Sequence, residues 1–271
     1  MIVLYMQKKL RIKLLFYVLC FFLSNNQVTA KLKISGCFCE GGLIYGQVSE
    51  NSIVTIDKKR KKIFNDGFFI HAFGRNSKKN IEIDIDGIKK NYIIKKKKYK
   101  IERISGLERN KVQPDKKSLE KIIKDKKFFE EAKKLGEESK LFNDRFLKPV
   151  NGRLSGVFGS QRILNGKARR PHYGIDIAAP KGTEILSPTN GFVKLVSDNM
   201  FFTGKTIVID HGLGLISIFA HLNNISVTVG ERINEGQKIG EVGMTGRATG
   251  PHLHWGIYLG STPVDPEIFL N

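Results

Sequence analysis

The stretch "GPHLHWG", Gly250 to Gly256, decides how the C-terminal half of the chain is read. It places two of the six histidines, His252 and His254, one residue apart between glycine and tryptophan. On a β-strand successive side chains alternate faces, so residues i and i+2 look the same way and both imidazoles enter one cavity. Such a pair suits a metal or a proton carrier. It equally suits two partly buried histidines satisfied by backbone carbonyls, and the motif alone leaves both readings open.

The surrounding sequence supports the strand reading. "GFVKLVSD", "KTIVIDHG", "LISIFAHL" and "QKIGEVGM" are strand-like runs separated by Gly, Asn and Asp turn residues, and few residues look helical. Residues 148–271 therefore read as a compact, mostly antiparallel β domain. Upstream, "SLEKIIKDKKFFEEAKKLGEESKLFNDRF" spaces Phe128, Ala132, Leu135, Phe142 and Phe146 as one face of a helix, which predicts a linker helix within residues 114–147. Residues 31–113 read as a small basic β domain. Its hairpin signals are Asp86-Gly87, after the alternating Ile81, Ile83 and Ile85, and Asp66-Gly67 in "FNDGFFI". The fold class is mainly β, with no internal repeat.

Residues 1–30 read as a signal peptide. Lys8, Lys9, Arg11 and Lys13 precede the apolar run Leu14 to Leu23, and "VTA" ends at Ala30 with small residues suited to cleavage. The run is shorter than the roughly 20 residues a spanning helix needs, so a cleaved signal is favoured over an anchor. The chain is thus expected to be exported, to a periplasm or cell envelope. "ISGC", Ile34 to Cys37, lies too far beyond the apolar core for a lipoprotein box. Cys37 and Cys39 would close an awkwardly small ring, so no structural disulfide is expected despite the oxidising compartment.

The net charge is +20, of which +18 falls in residues 1–150. A basic surface meets nucleic acid, anionic lipid or an anionic polymer. The chain is also heavy in Lys, Ile and Asn, and lysine at ordinary solvated positions accounts for much of the excess. The run "KKKKYK", Lys95 to Lys100, lacks the interleaved aromatics of a single-strand platform, so it reads as solvated edge and no nucleic-acid partner is expected.

"RRPHYGIDIAAPKGT" supplies His172 and Asp176, four residues apart in an extended context that again puts both on one face. Zinc takes nitrogen from His and oxygen from Asp, and a catalytic site keeps three protein ligands and an open position. His172, Asp176 and one histidine of the HLH pair meet that count, and His221 in "FAHL" adds a fifth candidate. His211, at a turn in "DHGLG", and the isolated His71 read as structural.

With those residues in order and frame, residues 149–271 resemble the lysostaphin/LytM-type zinc metallopeptidases, peptidoglycan endopeptidases that cleave peptide cross-links of bacterial cell walls. The resemblance rests on "GVFGSQRILNGKARRPHYGIDIAAPKGTEILSPTNGFV", "VIDHGLGLISIFAHL" and "VGERINEGQKIGEVGMTGRATGPHLHWGI". It implies His172, Asp176 and His254 as ligands of one Zn2+ per chain, and His252 and His221 as catalytic histidines beside the metal. The implied activity is that of a zinc metalloendopeptidase, a hydrolase acting on stem or cross-link peptides of peptidoglycan through a zinc-activated water; the signal and composition permit a Gram-negative periplasm, where the bond would be D-alanyl to diaminopimelate, but do not fix the bond. Zinc lowers the pKa of bound water from about 15.7 to about 7, and a histidine near its ordinary pKa of about 6.5 can move the proton. No His-Glu-x-x-His helix is present, which argues against the other metallopeptidase class.

Two rivals remain at this stage. A non-catalytic protein with the same domain would bind the wall or activate other wall hydrolases, and a binding module would hold purely structural zinc. The open position left by three ligands disfavours the second. The basic N-terminal region, Lys95 to Lys98 included, would help hold the anionic wall, and the upstream region or the loop around Asn165 would cover the metal until moved. Trp255 reads as core as readily as substrate platform, Tyr173 flanks a ligand, and Lys167 to Arg170 line a loop before the first ligand.

Overall fold

The computed structural model describes residues 34–134 and 136–270. The expected signal peptide and Leu135 lie outside the described residues. Apolar alternation produces strands almost throughout. Ile34–Gly36 (β1), Leu43–Gln47 (β2), Val54–Ile56 (β3), Lys59–Arg60 (β4), Phe68–Ala72 (β5), Asn80–Ile85 (β6) and Ile88–Ile93 (β7) form two antiparallel sheets, ordered β1-β2-β5 and β4-β3-β6-β7. The Asp86-Gly87 signal gives a tight hairpin, with Ile85 opposite Ile88 and both turn residues at positive φ. The Asp66-Gly67 turn is a 3-10 turn between strands that do not pair with each other, so the hairpin expected there does not form.

Cys37 and Cys39 form a disulfide, against expectation. The backbone bond from Cys37 N to Leu43 O, 2.8 Å, and the turn closed by Gly42 N on Cys39 O, 2.8 Å, curl the chain. The two Cα atoms stand 5.3 Å apart, within ordinary bridging range.

Ile101–Ile104 (β8) leaves the upstream sheets and pairs in parallel with a strand 60 residues on, described below. A short helix, Arg109–Val112 (α1), and a longer one, Lys116–Ala132 (α2), follow. The Asp115 side chain accepts the Ser118 N–H and starts α2. The helix stops at Ala132 rather than running towards Phe146. Beyond it the chain bonds to the 211–213 turn, Leu213 N to Glu137 O at 2.9 Å and Leu141 N to His211 O at 3.1 Å, which competes with helical pairing. Phe142 and Phe146 are buried in this irregular segment, so their helical spacing was incidental.

Arg153–Gly156 (β9), Gln161–Leu164 (β10), Lys167–Ala168 (β11), Ile175–Ala178 (β12), Glu184–Leu186 (β13), Gly191–Met200 (β14), Gly204–Asp210 (β15), Leu215–Leu222 (β16), Asn224–Ile225 (β17), Arg232–Ile233 (β18), Lys238–Glu241 (β19), His252–Leu259 (β20) and Thr262–Val264 (β21) complete the fold. The main sheet is antiparallel, in the order β18-β14-β15-β16-β20-β12-β9 with β21 on the far side of β20. Smaller sheets run β13-β19-β17 and β11-β10-β8.

The principal core gathers Trp255, Phe219, Ile177 and Ile207 of the main sheet with Phe142 and Phe146, and also takes in Leu43, Phe64 and Ile70 from upstream. Trp255 is fully buried, its indole N–H donating to Ser217 Oγ at 3.2 Å, so it is core. Helix α2 packs through Phe129 and Ala132 on Leu195, Met200 and Val208, and buried Asp125 accepts the Phe201 N–H at 2.6 Å. The lysine run is not simply solvated edge: Lys96 pairs with buried Glu40 at 2.7 Å, and Lys97 pairs with buried Asp265. Among the described residues no helix is long and apolar enough to cross a membrane.

Candidate active site

Register builds the site. Strands β12 and β20 pair so that Asp176 lies opposite His254 and Ala178 opposite His252. The i, i+2 spacing then turns both histidines of β20 to the face that carries the Asp176 carboxylate. His172 precedes β12 in non-strand backbone and reaches the same point through Gly174. A Cβ at Gly174 would lie 2.7 Å from His254 Cε1 and 2.5 Å from Trp255 O, so only glycine lets the chain pass this close.

His172 Nε2, His254 Nδ1 and Asp176 Oδ1 form a triangle. His172 Nε2 is 2.9 Å from His254 Nδ1 and 3.0 Å from Asp176 Oδ1, and His254 Nδ1 is 2.9 Å from Asp176 Oδ1. The Val157 carbonyl, 3.1 Å from His172 Nδ1, can only accept. In the neutral ring it therefore holds the proton on Nδ1 and leaves a bare lone pair on Nε2. With that lone pair, a carboxylate oxygen and one imidazole nitrogen converging, a single proton cannot satisfy all three pairs. A cation can, and the donor set of two imidazoles and one carboxylate suits zinc. The three residues are a candidate metal site.

The electrostatics agree. Burial pushes the Asp176 carboxyl up, but the charge and hydrogen bond of His172, joined by those of His254, hold it well below the ordinary carboxylate range. Burial pulls His254 down to about 4 against the opposing pull of Asp176. Asp176 is thus held as a carboxylate and His254 as a neutral imidazole, the states in which such groups bind a metal.

His221 and His252 complete the cluster, their rings 4.8 Å apart, with His221 6.1 Å from the His254 ring. His221 Nδ1 meets the Thr245 carbonyl at 2.7 Å and His252 Nδ1 the Gly250 carbonyl at 2.8 Å, so in each neutral ring Nε2 carries the lone pair. Burial, with the nearby His252 and His254, depresses His221 to about 3. His221 has φ +66, in the left-handed region. The strain is imposed by a register shift between β15 and β16 and by the bond from His221 N to Thr203 O at 2.8 Å.

The remaining sequence candidates lie elsewhere or act differently. His211 is fully buried between Asn190 O, 2.7 Å, and Ser217 Oγ, 2.8 Å, a structural position. His71 faces Lys61 at 3.0 Å and packs on Phe73. Asn165 bonds through its side chain to the backbone of Leu107, N–H at 3.3 Å and carbonyl at 2.7 Å, and so fastens the upstream segment to the loop after β10. Sequence reasoning missed Arg162, whose Nη2 donates to Asp176 Oδ2 and whose Nε donates to Glu102 Oε2 at 3.4 Å. It also missed Glu102 on β8 and Arg247 before β20. The three line a cavity of about 330 Å3 that has Asp176 and His252 in its wall.

Residues 170–266 match peptidase family M23. The chain carries a peptidase M23 domain. This stretch contains all five clustered residues. Over 114 residues, 42% of this chain, it is 37% identical to the peptidoglycan DD-endopeptidase ShyA of Vibrio cholerae, covering 26% of that protein. Over 117 residues, 43% of this chain, it is 36% identical to the DD-carboxypeptidase/endopeptidase Mpg of Neisseria meningitidis serogroup B, covering 27% of that protein. The chain thus spans about a quarter of the length of these curated relatives. A crystal structure of a candidate M23 peptidase from Pseudomonas aeruginosa aligns over 86% of this chain and 94% of its own, with 29% identity and a TM-score of 0.65. That likeness extends beyond the M23 domain into the upstream strands.

Proposed function

We propose that the chain is an exported zinc metalloendopeptidase that hydrolyses stem or cross-link peptides of peptidoglycan. The observation that carries the reading is the convergence of three ligand atoms, 2.9–3.0 Å from one another, with the imidazoles of His221 and His252 beside them. The relatives named for peptidoglycan endopeptidase activity, and the signal-like N-terminus, support the substrate and the export.

His172 Nε2, Asp176 Oδ1 and His254 Nδ1 would hold the ion. Bound zinc supplies Lewis acidity and lowers the pKa of a water towards about 7. His221, kept neutral by burial, offers Nε2 as a fixed acceptor to the attacking water, its ring held by Thr245 O. His252, in the cavity wall, has Nε2 bare in its neutral ring and would relay the proton taken from the water to the departing amine. Arg162 holds the free oxygen of Asp176, which keeps Oδ1 turned to the histidines.

The test is digestion of isolated peptidoglycan with the purified protein, reading released muropeptides by mass spectrometry, with chelator, with zinc restored, and with His252→Ala. Zinc-dependent new amino and carboxyl ends that vanish in His252→Ala are expected. Absence of cleavage by folded, zinc-loaded protein would refute the reading.

A further inference from the structure

The cavity of about 330 Å3 beside the ligand cluster holds more positive charge than its neighbours balance. Its two carboxylates, Glu102 and Asp176, both accept from Arg162. Arg247 has no carboxylate partner among the described residues. Its guanidinium lies 4.4 Å from the Phe202 ring centre, and it donates to a backbone carbonyl, Lys111 O, at 3.4 Å. Close by is Arg169, which donates to Val112 O at 2.6 Å and whose buried Nε has no hydrogen-bond partner. Arg162 and Arg247 thus line the recess together with Asp176 and His252 of the candidate site, and the charge of Arg169 acts on Arg247 from beside it. Cations collected without counter-ions are costly to hold, and that cost is recovered when a ligand brings the missing anion.

We propose that this cavity is a carboxylate-binding subsite in which Arg247, flanked by Arg162, receives a carboxylate borne by the residue that carries the leaving amine. The placement rests on the peptide-hydrolase reading above, because His252, the proton carrier to that amine, shares the cavity wall. A guanidinium matches a carboxylate with two parallel hydrogen bonds, and stacking on Phe202 fixes its plane. Ile104 and Leu107 give the recess an apolar side suited to a short aliphatic stem. These two belong to β8 and the segment after it, so specificity for the leaving side is built partly by residues outside the M23 domain. That wall is fastened by Asn165 at Leu107 and by Arg169 and Arg247 at α1.

The experiment compares two synthetic peptides on the full zinc-loaded chain, acetyl-Lys-D-Ala-D-Ala with a free carboxylate and the same peptide as its C-terminal amide. A charge-assisted bidentate contact predicts kcat/KM about 30-fold higher for the carboxylate peptide. The ratio falls to about 1 in Arg247→Gln and to an intermediate value in Arg247→Lys, which keeps the charge but not the fork. A ratio near 1 in the native protein, or one that survives in folded Arg247→Gln, overturns the subsite while leaving the hydrolase reading intact. If neither peptide is cut, the hydrolase reading fails for this bond and calorimetric binding decides the subsite. Discrimination of about 30-fold that is lost in Arg247→Gln supports it, and equal affinities refute it. Should Arg247→Gln fail to fold, Arg247→Lys decides: an intermediate ratio supports the subsite and an unchanged ratio overturns it.

Discussion

The tightest geometric demand in the site is at Gly174, and Gly174→Ala tests it. Its φ is not left-handed, so alanine is tolerated by the backbone and would by itself stabilise by about 0.4–1 kcal/mol through the unfolded state. The added methyl, however, would stand 2.7 Å from His254 Cε1 and 2.5 Å from Trp255 O. Carbon contacts are comfortable at about 3.5 Å or more, so the ring contact must open by roughly 0.8 Å and the contact with the strand's carbonyl by about as much. The 2.5 Å contact is with the Trp255 carbonyl in the backbone of a strand whose indole is fully buried, so relief shifts the 172–174 segment off β20 and moves His172 relative to the His254 ring. Overpacking costs about 1–3 kcal/mol, so the net loss is about 1–2 kcal/mol, or roughly 2–8 °C in Tm for a chain of this size. If His172 and His254 hold zinc as proposed, displacing one from the other costs more in metal than in stability, and zinc affinity should fall about 10–100-fold. Thermal melting with a competitive zinc titration reads both quantities. Unchanged zinc affinity with a native or raised Tm would show that the Gly174 approach does not set the position of His172 relative to His254.

Other outcomes follow from the same structure. Burial lowers His211 to about 4, and His71 to about 4 with help from Lys61, so the unfolded chain binds more protons than the folded one between roughly pH 6.5 and 4. The stability these groups contribute is therefore present above about pH 6.5 and is lost as pH falls, by up to roughly 3 kcal/mol for fully buried His211. Urea melts from pH 7 to 4.5 should show it, with the slope reduced by about one proton in His211→Gln. Asp125→Ala orphans the buried Phe201 N–H and should cost about 1–3 kcal/mol, measurable by denaturant midpoint at pH 7. Glu102→Gln weakens the hold on Arg162 without touching the triangle, so kcat/KM on peptidoglycan should drop while zinc stoichiometry stays at one. Alkylation of the folded chain before reduction should leave Cys37 and Cys39 unlabelled.

The sequence by itself determined the catalytic-side architecture, because alternation with period two is local. Any strand through His252 and His254 must turn both to one side, and the turn-punctuated runs from Gly191 to Glu241 became β14, β15, β16 and β19. Spacing also brought forward His172, Asp176 and the HLH pair, while the choice of His254 over His252 came from the family resemblance and not from spacing. What only the tertiary structure decided depends on pairs distant in the chain. Glu102 meets Arg162 through the parallel β8–β10 pairing, whose partners stand 60 residues apart, and no local pattern encodes that contact. Phe142 and Phe146 kept a helical spacing while their backbone bonded to the 211–213 turn, because competing tertiary hydrogen bonds outweigh helix propensity. The Cys37–Cys39 bridge depended on a curl fixed by Leu43, and the left-handed His221 on a register shift against β15. Periodicity fixes which face a side chain takes, whereas burial, strain and counter-charge are properties of the neighbours that folding brings to that face.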